Sequence, residues 1–234
     1  MKTVLFDLDG TLLPMDQDNF IKAYFGGLAT KLVPFGYEPN QLIKGIWTGT
    51  AAMVKNDGSM TNEERFWQAF CQYYQDDVRR DESVFTDFYQ NEFQFVRMSC
   101  GHTSHAAELI QWLKAQGCRV VLATNPIFPA IATGSRMQWA GLKASDFALV
   151  TTYENSCHSK PNLEYYRDIL QQIGETPENC IMVGNDVTED MIAAELGMQV
   201  FLLTDCIINK ENKDISCYPH GSFDTLRDFL QQNI

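Results

Sequence analysis

The stretch "VLFDLDGTLL", residues 4–13, decides how the rest of the chain is read. Val4, Leu5 and Phe6 suit a central buried strand and Gly10-Thr11 supply a turn, but Asp7 and Asp9 stand where that strand should be ending. Side chains two apart along an extended chain share a face, so the two carboxylates point the same way. A carboxylate is costly to bury alone, and a second one beside it adds repulsion. A positive group must therefore accompany the pair, and it has to come from elsewhere.

Beyond about residue 104 the pattern alternates between helix and strand. Ala106, Leu109, Ile110 and Leu113 fall on one helical face before Gly117, and "RVVLA" (119–123) follows as a strand. A helix ending near Gly141, strand "FALV" (147–150), a helix from Asn162 to Gly174 and strand "CIMVG" (180–184) come next. A helix ending at Gly197, strand "VFLLT" (200–204) and a C-terminal helix opened by Ser222 complete the series. Five short apolar strands separated by helices predict a Rossmann-like α/β fold, a parallel sheet covered on both faces. Such sheets bind ligands at the carboxyl ends of their strands.

Residues 15–98 read differently. Apolar side chains recur at helical spacing, as in Ile21, Tyr24, Phe25 and Leu28, and again in Phe66, Trp67 and Phe70. Asn40 and Thr61 are expected N-caps, the latter with Glu64 completing a capping box. The segment holds 16 of the 28 aromatic residues, enough to build a small helical core of its own, and packing is their expected role. The predicted organisation is an α/β core of residues 1–14 and 99–234 interrupted by an all-helical cap of residues 15–98.

A chain of 234 residues with 45% hydrophobic and 21% charged residues has an ordinary globular composition. No apolar run approaches the roughly 20 residues a bilayer needs, and Asp7 and Asp9 break what would be the apolar stretch of a signal peptide. A cytoplasmic protein without a membrane partner is expected. Seven cysteines without a C-x-x-C pair are expected to stay reduced. The net charge of -12 speaks against nucleic acid as a partner, though not against a small anion held by one lysine and one cation in a local pocket.

Four short signatures fall just past strand ends or in the loop before a helix: "DLDGT", "ATN", "SKP" and "GNDVTED". In this order and context they resemble the haloacid dehalogenase-like (HAD) hydrolase superfamily, of the phosphatase type with a helical cap inserted after the first motif. The resemblance spans nearly the whole chain. It implies hydrolysis of a small soluble phosphorylated metabolite through an aspartyl-phosphate on Asp7, with Asp9 as general acid and base at a raised pKa, supplied by neighbouring carboxylates. Thr124 and the backbone amide of Asn125 are implied phosphate donors, and Lys160 pairs with both the phosphate and Asp7.

The missing positive partner is then a metal, and oxygen ligands beside a phosphate favour Mg²⁺ over zinc. The resemblance implies ligation by the Asp7 carboxylate, the Asp9 carbonyl and a carboxylate of the fourth motif. Two spacings fit that motif. The shorter makes Asp186 the ligand with Asp190 holding a metal-bound water, and the longer gives the ligand position to Asn185, a neutral amide. Asp186 is preferred because a carboxylate offsets more of the metal's charge.

Other assignments stay on the surface or the hinge. His102 and His105 near the hinge, and His158 near Lys160, are expected to be structural or loop residues. "KNDGS" (55–59) and Gly26-Gly27 are possible cap elements facing the pocket. A phosphomutase would use the same intermediate, and a phosphate-binding regulatory module could keep the motifs without turnover. A dehalogenase has no need of Asp9, since halide leaves without a proton. The motifs leave the substrate and the oligomeric state open.

Overall fold

In the computed structural model, which describes residues 2–234, the strands are β1 (Thr3–Phe6), β2 (Arg119–Leu122), β3 (Leu149–Val150), β4 (Cys180–Gly184), β5 (Gln199–Leu203) and β6 (His220–Gly221). They form one parallel sheet in the order β3-β2-β1-β4-β5-β6. The five expected strands are present. The sixth, β6, is a two-residue edge strand with a polar, exposed His220, too short to leave a periodic signal.

Alternation along these strands divides the core into two layers. Val4, Phe6, Val120, Leu122, Ile181 and Val183 point to one face, where α5 (His105–Ala115), α6 (Ala130–Trp139) and α8 (Phe223–Asn233) pack. Leu5, Val121, Cys180, Met182 and Leu202 point to the other, under α7 (Leu163–Ile173). The expected helix before Gly197 is a 3-10 segment, Met191–Leu196, six residues long, and tight 3-10 geometry is at home in such short pieces.

Between β1 and α5 the chain makes α1 (Gln17–Leu32), α2 (Pro39–Val54), α3 (Asn62–Tyr74) and α4 (Glu82–Gln90), with 3-10 turns between α1 and α2, between α3 and α4 and after α4. An antiparallel bridge between Met15 and Cys100, with the Gly101 amide donating to the Pro14 carbonyl at 2.7 Å, pins the two ends of this insertion together. Thr61 forms the expected capping box with Glu64. Asn40 is not a cap: Pro39 takes the first helical position, and the Glu38 carboxylate accepts from the Asn40 and Gln41 amides.

The aromatic side chains of the insertion do not form a core of their own. Phe20, Phe70, Phe88 and Phe93 belong to one apolar cluster that runs on into Phe6, Leu8 and Leu122 beneath them, so insertion and sheet share a core. Within it α2 and α3 approach closely. A methyl group on Gly49 would overlap the Phe66 ring, and one on Gly45 would lie 2.9 Å from the Phe70 ring. No helix among the described residues is long and apolar enough to cross a membrane, and all seven cysteines are free.

Candidate active site

The strand order reverses at β1, whose neighbours β2 and β4 belong to opposite directions of winding. A crevice opens there beyond the carboxyl ends of the strands. It leads to a cavity of about 270 Å³ between the sheet edge and the helical insertion. Asp7, Asp9, Thr124, Asn125, Asn185, Asp186 and Asp190 all line it, so the residues singled out from three of the four sequence signatures meet in one place.

The first signature is shaped by backbone hydrogen bonds. The Asp7 amide continues the ladder to the Val183 carbonyl at 2.9 Å, and the Leu13 amide then closes the turn onto the Leu8 carbonyl at 2.8 Å. Gly10 takes a left-handed φ of 87°, and a Cβ there would overlap the Asn185 side-chain amide. Asn185 is buried and engaged at both ends. Its Oδ1 accepts from the Thr11 hydroxyl at 3.0 Å and its Nδ2 donates to the Cys206 carbonyl at 2.7 Å. The amide thus clamps the first signature to the fourth.

Lys160, from the third signature, is buried and is not itself part of the cavity wall. It reaches the wall through two carboxylates, donating to Asp7 Oδ1 at 2.9 Å and to Asp190 Oδ1 at 2.6 Å. Burial works against its charge, but Asp190 and Asp7 outweigh that cost and hold its pKa well above the ordinary lysine value. Burial pushes Asp190 up to about 7 against the pull of Lys160. The other oxygen of Asp190 accepts from the Asp186 amide at 2.9 Å. Asp186 Oδ1 in turn accepts from the Thr188 and Glu189 amides at 2.7 and 2.9 Å, which folds the fourth signature into a tight turn.

Asp9 has a partner that carries no sequence signature. Arg136, fully buried in α6, donates to Asp9 Oδ2 and lies over the Phe128 ring, 4.5 Å from its centroid. The second oxygen, Asp9 Oδ1, is buried without a hydrogen-bond partner. Burial raises the Asp9 pKa to about 6, Arg136 pulls it down, and Asp7 adds a smaller upward push. The neighbouring carboxylate expected to raise it is therefore a lesser cause than burial. Glu189, also outside the sequence-derived set, is pushed up to about 7 by burial and accepts from Asn125 Nδ2 at 3.0 Å. Asn125 Oδ1 is buried and unpartnered. Among the described residues neither the Thr124 hydroxyl nor the Asn125 backbone N–H has an intramolecular acceptor, so both donors remain free at the end of β2.

The donor chemistry suits a hard divalent cation. Five carboxylates line the cavity against one lining lysine, Lys210. Among the described residues no three His, Cys, Asp or Glu side chains converge into a metal cage by themselves. A site built from two carboxylates and the Asp9 main-chain carbonyl does not ask for one, and Asp7 and Asp186 share the cavity.

The three histidines expected to be structural or loop residues lie outside this cavity. His158 donates from Nδ1 to Asp168 Oδ2 at 2.7 Å and abuts Gly58. His105 lies 6.0 Å, centroid to centroid, from the Phe223 ring, and neither it nor His102 lines the cavity. "KNDGS" and Gly26-Gly27 do not line it either. Asn56 is tied to the Met60 carbonyl and to Asn62, Asp57 pairs with Arg65, and Gly27 backs onto the Phe88 ring.

The family model of haloacid dehalogenase-like hydrolases matches residues 1–197. The chain is a haloacid dehalogenase-like hydrolase. Pyrophosphatase PpaX of Bacillus cereus is 27% identical over 189 residues, which cover 80% of this chain and 75% of that one. Two solved structures share the fold: a HAD phosphatase from Thermococcus onnurineus (TM-score 0.61, 18% identity, 98% of each chain) and the putative HAD-hydrolase YfnB from Bacillus subtilis bound to magnesium (TM-score 0.59, 19% identity, 98% of each chain). This hydrolase thus has an enzyme's family and an acidic cavity at the strand ends, with the helical insertion forming the cavity's far wall.

Proposed function

We propose that the chain is a Mg²⁺-dependent phosphomonoester hydrolase whose core, residues 1–14 and 99–234, carries the chemistry beneath a helical cap, residues 15–98. The observation that carries this reading is the convergence of Asp7, Asp9, Thr124, Asn125 and Asp186 on one cavity, with Lys160 bonded to Asp7 from behind. The Lys160 contact occupies one Asp7 oxygen and orients the other for attack. Asp7 attacks phosphorus and the bond to the ester oxygen breaks, giving an aspartyl-phosphate. Asp9 supplies the proton that the departing oxygen takes up. Because Arg136 holds Oδ2, that proton resides on Oδ1. Asp9 then removes a proton from water, the water oxygen attacks phosphorus, and the bond to Asp7 breaks with release of inorganic phosphate.

The free Thr124 hydroxyl and Asn125 amide serve the equatorial phosphate oxygens, and Lys160 offsets charge there through Asp7. Magnesium, when bound by Asp7, Asp186 and the Asp9 carbonyl, neutralises the facing carboxylates and phosphate. Asp186 is favoured over Asn185 because both ends of the Asn185 amide are already engaged, whereas Asp186 Oδ2 carries no hydrogen bond among the described residues. Asp190 braces Lys160 and the Asp186 turn. A mutase must seat a second phosphate, and the cap wall of the cavity has no Lys or Arg to hold it.

The test is phosphate release from an aryl phosphate by the purified chain. Activity should require Mg²⁺, stop with EDTA, and fall at least about a thousandfold in Asp7→Asn, as expected for loss of a nucleophile. Mg²⁺-independent turnover, or an Asp7→Asn variant of near wild-type activity, would refute the mechanism.

A further inference from the structure

The two walls of the cavity differ in chemistry. The sheet side presents the five carboxylates and the free donors described above. The side formed by α1, α2, α3 and α4 presents Phe20, Phe25, Trp47, Phe66, Trp67 and Phe85, together with further aromatic and aliphatic side chains and two uncharged polar ones, Gln17 and Thr50. Trp47 keeps 48% of its surface exposed even though its ring centroid lies 5.5 Å from that of Phe25. The Phe25 and Trp47 rings thus form a paired aromatic face on the cavity wall.

No Lys, Arg or His of the insertion lines the cavity. Four of its eight Lys and Arg side chains are paired elsewhere: Lys31 with Asp87 and Glu92, Arg65 with Asp57, Arg79 with Glu63 and Glu82, and Arg80 with Asp76. The one lining lysine, Lys210, comes from the core beyond β5. A leaving group bearing a second phosphate or a carboxylate would meet an apolar wall with no cation on it. A sugar would find few partners for its hydroxyls there, the Tyr24 and Tyr89 hydroxyls being bonded to each other and Gln17 and Thr50 the other polar side chains of that wall.

Resting on the phosphomonoesterase reading, we propose that the physiological substrates are monophosphate esters of uncharged aromatic or arylalkyl alcohols, seated with the ring against the Phe25-Trp47 face. This differs from the substrate type in the name of the pyrophosphatase relative. Ring stacking on offset or edge-on aromatic neighbours supplies the selectivity, and the absence of cap cations disfavours esters whose leaving group carries a second anionic group.

The experiment compares alkyl esters of similar leaving-group basicity, so that intrinsic reactivity does not decide the result. Phosphate release by the full chain with Mg²⁺ is measured for benzyl phosphate and 2-phenylethyl phosphate against glycerol phosphate and phosphoglycolate. The arylalkyl esters should have kcat/KM at least about tenfold higher, mostly through KM, a difference within the reach of one apolar pocket. Thr50→Lys places a cation on the same wall from a half-buried position of α2 and should move preference toward phosphoglycolate by about tenfold, with folding checked by circular dichroism.

Equal or faster turnover of the anionic or polyol esters by the wild-type chain would overturn the substrate class while leaving the phosphatase reading intact. A folded Thr50→Lys variant with unchanged preference would overturn the charge argument. No turnover of any ester with Mg²⁺ present would instead bring down the phosphatase reading, and this inference with it.

Discussion

Arg136 is a cation in the middle of a helix, and nothing near it in sequence gives away its task. Its guanidinium is fully buried, pairs with Asp9 across 127 positions of chain, and donates to the Thr133 hydroxyl at 3.2 Å. Removing one partner of a buried pair strands the other, which is usually worse than never having had the pair. Arg136→Ala should cost about 3 kcal/mol by urea unfolding. Arg136→Lys should recover only part of it, since a lysine can replace the charge but not the flat stack on Phe128. A loss under about 0.5 kcal/mol in the alanine variant would show the pair to be dispensable. Asp7, Asp9 and Asp186 were legible because each interrupts or directly follows an apolar strand. Arg136 was not, because its burial is created by a contact with no local pattern. Glu189 lay inside a quoted signature, but only burial distinguishes it from a solvated acid.

At the level of elements, the start of α3 is the firmest tie between the helical insertion and the sheet edge. Asn62 is fully buried. Its Nδ2 lies 3.1 Å from the Pro126 carbonyl, 3.2 Å from the His158 carbonyl and 3.0 Å from the Ser159 hydroxyl, and its backbone N–H donates to the Ser156 carbonyl at 2.8 Å. Pro126 follows the second signature directly and Ser159 opens the third, so this one side chain braces both loops. Asn62→Ala should destabilise the chain by about 2 to 3 kcal/mol, because several buried acceptors lose their donor together. Unfolding midpoints in urea measure this, and an unchanged midpoint would contradict it. Thr61 and Glu64 announced the helix start through their spacing. The brace one residue later was invisible, because an asparagine at that position reads equally well as a solvated first-turn residue.

For the molecule as a whole, the acidic cavity links stability to pH and, on the proposed function, to magnesium. Asp9 moves from an ordinary 3.8 to about 6 and Glu189 from 4.5 to about 7. Both rise on folding, so the folded chain holds more protons than the unfolded chain through that interval. Their contribution to stability is complete below about pH 4 and is lost as pH climbs through 6 and 7. A divalent cation held beside them by Asp7, Asp186 and the Asp9 carbonyl, as proposed, would favour the charged form of these neighbouring carboxylates and so oppose their protonation. Added Mg²⁺ should therefore raise Tm more at about pH 8 than at about pH 5.5, relative to EDTA. Thermal unfolding at the two pH values measures the difference, and an equal or larger rise at the lower pH would contradict it. The sheet was legible because its strands are continuous apolar runs, buried on both faces. The shared core was not, because helical spacing shows which residues turn inward and not which neighbour they turn toward.

The close contact of α2 with α3 at Gly45 and Gly49 has a consequence for how such a scaffold could change its diet. Ile46, Trp47 and Thr50 stand on one of these helices and Phe66 and Trp67 on the other, so the glycines act as spacers behind the surface that meets the ligand. A single added methyl group there would press on Phe66 and Phe70 and wedge the helices apart, reshaping the chamber from a backbone position that does not itself line it. New preferences could thus arise by mutation at positions no substrate ever meets.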